Sequence, residues 1–258
     1  MISSAPASPS VLLLGGTGEA RDLAGRLTAR PGLRVVSSLA GRVRDPALPA
    51  GEVRIGGFGG PGGLAAWLTC EQVGVVVDAT HPFAEGISAS AVAACRATAI
   101  PLLRLARPAW HPSGDDAWHQ ARDLAEAARL LPGLGERVFL TTGRQSLAAF
   151  APLTRLWFLI RCVDPPSGAL PPRREVILAR GPYDADAERA LMREHRVDVL
   201  VTKNSGGELT AGKLTAARDL GLPVVMISRP PQPDAPSCPS AADAERWLLR
   251  RLGRSDAG

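Results

Sequence analysis

Lysine is almost absent from this 258-residue chain: Lys203 and Lys213 are the only two, so the net charge of +5 rests on arginine. A nucleic-acid binder would show a lysine run, a basic stripe along one helix or interleaved stacking aromatics. None of these is present, and aromatics make up only 4% of the residues. A small acidic molecule is the better partner for such a chain, unless the arginine bias only mirrors genome composition. Cysteine is sparse as well. Cys70, Cys95, Cys162 and Cys238 stand far apart with no C-x-x-C pair, so they read as buried, reduced thiols rather than a disulfide framework or zinc site. His81, His111, His119 and His195 have no metal-ligand spacing, and no metal is expected. No apolar run reaches the length of a membrane span, and Val11 to Leu14 is too short for the core of a secretion signal. The expectation is a soluble cytoplasmic protein.

What is present begins at Val11-Leu12-Leu13-Leu14-Gly15-Gly16-Thr17-Gly18-Glu19-Ala20-Arg21, an apolar strand running into glycines and then a helical pattern. Glycines there let backbone N–H groups approach a ligand, and the helix N-terminus behind them carries partial positive charge, which together make a phosphate cradle. The dinucleotide fingerprint G-x-G-x-x-G/A is incomplete, because Arg21 stands at the third small position. An ordinary tight strand-to-helix turn is the alternative. A second strand, Leu33 to Ser38, ends about 20 residues after the glycines, where an acid holds the ribose hydroxyls in NAD-binding proteins. Here no acid follows. Ser37, Ser38, Gly41, Arg42 and Arg44 instead offer hydroxyls and guanidinium groups suited to the 2′-phosphate of NADP, or the two arginines are solvated loop charges.

Apolar content of 45% over this length supports one large domain or two small ones. Ala20, Leu23, Ala24 and Leu27 recur at helical spacing, and Val73 to Val77 is a β-branched run typical of a strand buried on both faces. A helix from Phe83 to Ala97 and a strand from Leu102 to Ala106 follow. Arg107 to Trp118, rich in proline, glycine and aspartate, loses periodicity and reads as a linker. The second half repeats the alternation. Helices are expected at Arg122 to Leu131, Gln145 to Phe150, Asp184 to His195, Leu209 to Leu220 and Ala241 to Leu252. Strands are expected at Val138 to Thr141, Leu156 to Arg161, Val176 to Ala179, Val197 to Val201 and Val224 to Ile227. The expected architecture is α/β, two Rossmann-like or flavodoxin-like lobes with mostly parallel sheets, divided as residues 1–108 and 109–258.

Four loops at strand ends concentrate chemistry. The first is the glycine turn. The second is Asp78-Ala79-Thr80-His81-Pro82-Phe83-Ala84, in which Asp78 and His81 face a ligand or Thr80 caps the next helix with Pro82 in its first turn. The third, Thr141-Thr142-Gly143-Arg144-Gln145-Ser146, offers hydroxyls and a guanidinium for a carboxylate. The fourth, Thr202-Lys203-Asn204-Ser205-Gly206-Gly207, places one of the two lysines among small polar residues. For both, a capped turn with a solvated cation is the alternative. The stretch from Gly56 to Gly63 reads as a flexible lid or a loop open to insertion.

These residues also carry a resemblance. Gly15-Gly16-Thr17, Ser38-Leu39-Ala40-Gly41-Arg42, Gly57-Phe58-Gly59-Gly60, Asp78-Ala79-Thr80-His81-Pro82-Phe83, Arg104-Leu105-Ala106-Arg107-Pro108, Thr141-Thr142-Gly143 and Thr202-Lys203-Asn204-Ser205-Gly206-Gly207 closely resemble the precorrin-6A reductase family of cobalamin biosynthesis, from about Val11 to Trp247. The resemblance implies NADPH-dependent reduction of one double bond of the precorrin-6A macrocycle to precorrin-6B, in a cleft between two nucleotide-binding-like lobes. Residues 1–108 would bind NADPH, and 109–258 would help bind the anionic tetrapyrrole. Its many carboxylates suit bidentate arginines and a lysine.

On this reading Gly15, Gly16, Thr17 and Gly18 hold the NADPH diphosphate, Ser38 and Arg42 lie near the 2′-phosphate, and Asp78 and Thr80 belong to the loop lining the nicotinamide. Arg104, Arg107, Thr142, Arg144, Lys203, Asn204 and Ser205 grip the substrate. His81 and Lys203 are the candidate proton donors, with solvent or substrate tautomerism as the alternative. Substrate with or without cobalt stays open. Of the rival classes, short-chain reductases and sugar epimerases need a Tyr-x-x-x-Lys pair, impossible here because Tyr183 is the only tyrosine and position 187 is alanine. A non-catalytic NADP-binding regulator would not need the arginines of the second half.

Overall fold

Two six-stranded sheets, every strand pair in them parallel, organise the chain in the computed structural model, which describes residues 9–41 and 46–253. Arg42 and Arg44 lie outside the described residues. In chain order the elements are β1 (Ser10–Leu14), α1 (Gly18–Thr28), β2 (Arg34–Leu39), β3 (Glu52–Ile55), α2 (Gly60–Cys70), β4 (Val75–Asp78), α3 (Glu85–Thr98), β5 (Leu102–Leu105), β6 (Trp118–Ala121), α4 (Leu124–Leu130), β7 (Arg137–Leu140), β8 (Trp157–Cys162), β9 (Arg174–Leu178), α5 (Ala185–Glu194), β10 (Val199–Lys203), α6 (Gly212–Asp219), β11 (Val224–Ile227), β12 (Ser237–Cys238) and α7 (Ala241–Arg251). A 3-10 segment spans Arg144–Phe150.

The chain forms two compact units, residues 1–107 with 231–258 and residues 108–230. The first sheet runs β12-β5-β4-β1-β2-β3. Alternation along β1 explains its layers. Val11 and Leu13 point to one face with Leu23 and Leu27 of α1 and Ala244 and Leu248 of α7, whereas Leu12 and Leu14 point to the other with Leu64 and Leu68 of α2 and Ala91 and Ala94 of α3. The return of α7 corrects the expected boundary at the C-terminal side. Residues 231–258 complete the first unit rather than the second, because the apolar stripe of α7 is buried on α1 and β5. In the second unit the order is β6-β11-β10-β7-β8-β9, with Phe139, Leu159, Leu200 and Met226 packed against Met192 of α5 and Leu214 of α6.

Four elements escaped the sequence patterns: β3, α2, β6 and β12. The stretch from Gly56 to Gly63 is not one loop, since α2 starts at Gly60 behind a left-handed Gly59. Gly63 has a steric reason, because a Cβ there would stand 1.8 Å from the Phe58 carbonyl oxygen. Cys70, expected to be buried, is exposed at the end of α2, while burial pushes the Cys95 thiol up to about 11. Among the described residues no helix is long and apolar enough to cross a membrane.

Candidate functional site

Parallel sheets of this kind bind ligands beyond the carboxyl ends of their strands, where the strand order reverses. In the first sheet that point lies between β1 and β4, and it brings the glycine turn beside the Asp78 loop. The Ala79 amide donates to the Leu14 carbonyl at 2.9 Å, and a hydroxyl completes the join. Thr17 Oγ1 donates to the Ala79 carbonyl at 2.8 Å and accepts from Ala20 N at 3.1 Å, capping α1. Thr17 is therefore a staple between the two loops. Gly15 N donates to the Ser38 carbonyl at 3.0 Å, tying β2 to the same turn.

Gly16 has φ +112°, a conformation reserved in practice for glycine, and nothing lies within 4 Å of where its Cβ would be. With Ala20 N taken by Thr17 Oγ1 and Arg21 N by the Thr17 carbonyl, the amides left at this end of α1 belong to Gly18 and Glu19. The incomplete fingerprint has a physical explanation. Arg21 is exposed, and the small residue packed toward β1 is Ala20, whose Cβ would lie 3.6 Å from a Cβ on Gly15.

Asp78, 3% exposed, ends β4 and accepts from Thr80 N (3.1 Å) and Thr80 Oγ1 (2.6 Å) through Oδ1. Its Oδ2 lies 3.6 Å from Nε of Arg104, which is 7% exposed on β5. Arg104, expected against the substrate, is thus held inside the first unit, and its Nη2 donates to Gln232 Oε1 at 2.5 Å. Gln232 Nε2 in turn donates to the Pro82 carbonyl at 3.2 Å. Sequence patterns contained no sign of Gln232, because only the return of the chain to this unit places it there. Arg107, likewise expected at the substrate, pairs with Glu19 at 2.7 Å. The capping expectation for Thr80 is corrected: α3 begins at Glu85 behind Ala84, and the Thr80 hydroxyl is turned back to Asp78. His81 Nδ1 accepts from Phe83 N at 3.2 Å, which leaves the proton of the neutral ring on Nε2.

In the second sheet the order reverses between β7 and β10, and this unites the third and fourth loops. Thr141 N and Oγ1 both donate to the Val201 carbonyl at 3.0 Å. Thr142 is 5% exposed, yet its Oγ1 has no hydrogen-bond partner, an orphan that calls for a ligand or water. Arg144 Nη1 stands 3.9 Å from Asp164 Oδ2. Lys203 ends β10, and burial holds its ammonium below the ordinary 10.5. Asn204, expected to touch substrate, spends its amide on the Trp110 backbone, accepting from N (2.8 Å) and donating to O (3.0 Å). Ser205 Oγ donates to the Lys203 carbonyl at 3.3 Å. Arg229 was not anticipated. It clamps the same loop by donating to the carbonyls of Asn204 (2.8 Å) and Ser205 (3.0 Å).

Fold and site define a doubly wound α/β protein with a dinucleotide-type glycine turn in its first unit and a cation-bearing loop pair in its second. Residues 10–249 match the family model described as precorrin-6x reductase CbiJ/CobK, and the chain belongs to that family. It is similar to a precorrin-6A reductase of Rhodococcus erythropolis, 58% identical over 92% of this chain and 96% of the relative. A cobalt-precorrin-6A reductase of Salmonella typhimurium is 32% identical over 85% of this chain and 87% of that one. A solved structure described as CobK precorrin-6A reductase superposes with a TM-score of 0.90 at 41% identity, covering 97% of this chain and 99% of the other.

Proposed function

We propose that this protein is an NADPH-dependent oxidoreductase that reduces precorrin-6A in cobalamin biosynthesis. The observation that carries the reading is family membership over residues 10–249, with 58% identity to a relative named precorrin-6A reductase. The relative named for the cobalt-bearing compound stands much further off, at 32%, which favours precorrin-6A itself as substrate.

Gly15, Gly16 and the amides of Gly18 and Glu19 would hold the coenzyme's diphosphate, with Thr17 keeping their loop against Ala79 and Ser38 at the adenosine end. When bound, NADPH supplies the hydride. Asp78 orders Thr80, and Gln232 steadies Pro82, so the loop bearing His81 is fixed before ligand arrives. Nε2 of His81 is the atom we assign to orient the solvent molecule that delivers the proton to the reduced double bond, because a neutral ring whose Nδ1 accepts from Phe83 N does not itself give up its N–H. Thr142 Oγ1, Arg144 and Lys203 Nζ are the groups assigned to substrate carboxylates. Asn204, Ser205 and Arg229 keep Lys203 in place. Mixing the protein with NADPH and precorrin-6A should give loss of absorbance at 340 nm (roughly, the reduced nicotinamide band) that requires both compounds. Binding of NADPH without oxidation by precorrin-6A would defeat this reading.

Lys203→Met supplies an independent check on the second loop pair. The ammonium's folded pKa is below its unfolded one, so between the two values the unfolded chain binds more protons and stability rises with pH. The variant should therefore be more stable than the parent by roughly 0.5–2 kcal/mol at neutral pH. Its advantage should fade as pH climbs toward the ordinary 10.5. Turnover on the substrate should fall at the same time. Thermal melts of both proteins across pH read the first effect, and a constant difference across pH would refute the burial argument.

A further inference from the structure

We infer that Arg54 is the guanidinium that recognises the 2′-phosphate of the coenzyme and so sets the preference for NADPH over NADH. The inference rests on the nucleotide reading of the first unit. Arg54 lies on β3 directly opposite Ser38 of β2, and Ser38 lies opposite Leu14, the residue before the glycine turn. In-register residues of neighbouring parallel strands point to the same face, so Ser38 and Arg54 share one side of the sheet at its carboxyl edge. Two strand spacings separate β1 from β3, about 10 Å. That is the reach of one phosphorylated ribose, leading from a diphosphate at Gly16 to a second phosphate at Arg54.

The guanidinium is held in readiness. Its Cζ sits 3.8 Å from the centroid of Phe58 and 5.9 Å from that of Trp67. Nη1 donates to the Gly56 carbonyl at 2.6 Å and Nη2 to the Gly57 carbonyl at 2.8 Å. An arginine has five N–H donors, and these two bonds leave the rest for another acceptor. Among the described residues no carboxylate pairs with Arg54, unlike Arg34 at the start of the adjacent β2, which meets both Glu52 and Glu71. A fixed, unneutralised fork on an aromatic face suits a dianionic phosphate, and stacking keeps it from collapsing onto a neighbour. The glycines beside it leave access. A Cβ on Gly56, Gly57, Gly59 or Gly60 would meet nothing within 4 Å, and Gly56 has φ +121°.

The test is titration calorimetry of the full chain with NADP+ and with NAD+, for the parent, Arg54→Gln and Arg54→Lys. In Arg54→Gln the ratio of NADP+ to NAD+ affinity should drop roughly 10- to 100-fold, with Arg54→Lys recovering part of it. The same ratio, read as kcat/KM with NADPH and NADH, should move through KM. A glutamine variant that keeps the parent's NADP+ preference overturns the inference while leaving the nucleotide reading intact. Failure of the parent to bind either dinucleotide overturns both. Because the readout is a ratio within one protein, general loosening of the fold, which weakens both ligands together, does not imitate the expected result.

Discussion

Glu188→Ala is expected to cost about 3–5 kcal/mol of stability, a loss on the scale of truncating a core side chain. Glu188 on α5 is 3% exposed and forms a two-point ion pair with Arg161 of β8, which is 6% exposed; Nη2 to Oε2 measures 2.8 Å. The guanidinium also lies over Tyr183, 3.6 Å from its centroid, and 4.9 Å from that of Phe139. Removing the carboxylate leaves a buried cation with aromatic faces but no counter-charge, and that desolvation is the source of the cost. Replacing both partners by apolar residues of similar size should restore most of the loss. Urea denaturation measures the energies, and hydrogen exchange should place the weakened protection on β8 and α5. A single variant as stable as the parent would mean that water reaches Arg161 freely, against its burial.

The contrast between this pair and Lys203 separates two uses of buried charge. Arg161 is neutralised where it sits and serves the packing of α5 on the sheet. Lys203 is kept partly desolvated at a strand end where the sheet order reverses, the position at which parallel sheets of this type generally take ligands. Arg104 belongs with the first kind. Its neighbour Asp78 and its acceptor Gln232 make it part of the scaffold under the His81 loop, although its place in the family-like segment Arg104 to Pro108 pointed to substrate.

Strands β1, β2, β4, β5, β7, β8, β10 and β11 were legible because they are apolar runs buried on both faces, a pattern that hydrophobicity alone reveals. Of the edge strands, β9 was anticipated at Val176 to Ala179, whereas β3, β6 and β12 were not. β3 has exposed ends and β6 reads Trp118-His119-Gln120-Ala121, since an edge position asks for little burial. Helix α2 was hidden by its glycines, of which Gly63 answers a close approach to Phe58 rather than a helical preference. Four strand-end loops were recognisable by their residues, and the topology pairs them two by two. What sequence spacing lacked was direction. Whether Asn204 faces a ligand or a neighbouring backbone, or whether Arg54 lies opposite Ser38, depends on register between segments that no local pattern records.

Gly16→Val is expected to lower kcat/KM for NADPH on the order of 100-fold, with affinity for NADP+ falling in parallel. The cause is local and twofold. At φ +112° a β-branched residue is strained by about 1–3 kcal/mol, so the turn either pays that strain or rotates its amides away from the ligand. The new methyl groups would also project into the open volume above the turn, where the diphosphate is assigned. Because nothing within 4 Å is displaced in the free protein, melting temperature should fall far less than ligand binding does. The companion change at Thr17 should behave in the opposite way. Thr17 is buried and spends its hydroxyl on Ala20 and Ala79, so Thr17→Val should act first on stability. Calorimetric titration with NADP+ and thermal melts of the two variants distinguish these behaviours. A Gly16→Val protein that binds NADP+ as tightly as the parent would show that the diphosphate lies elsewhere, whatever the family.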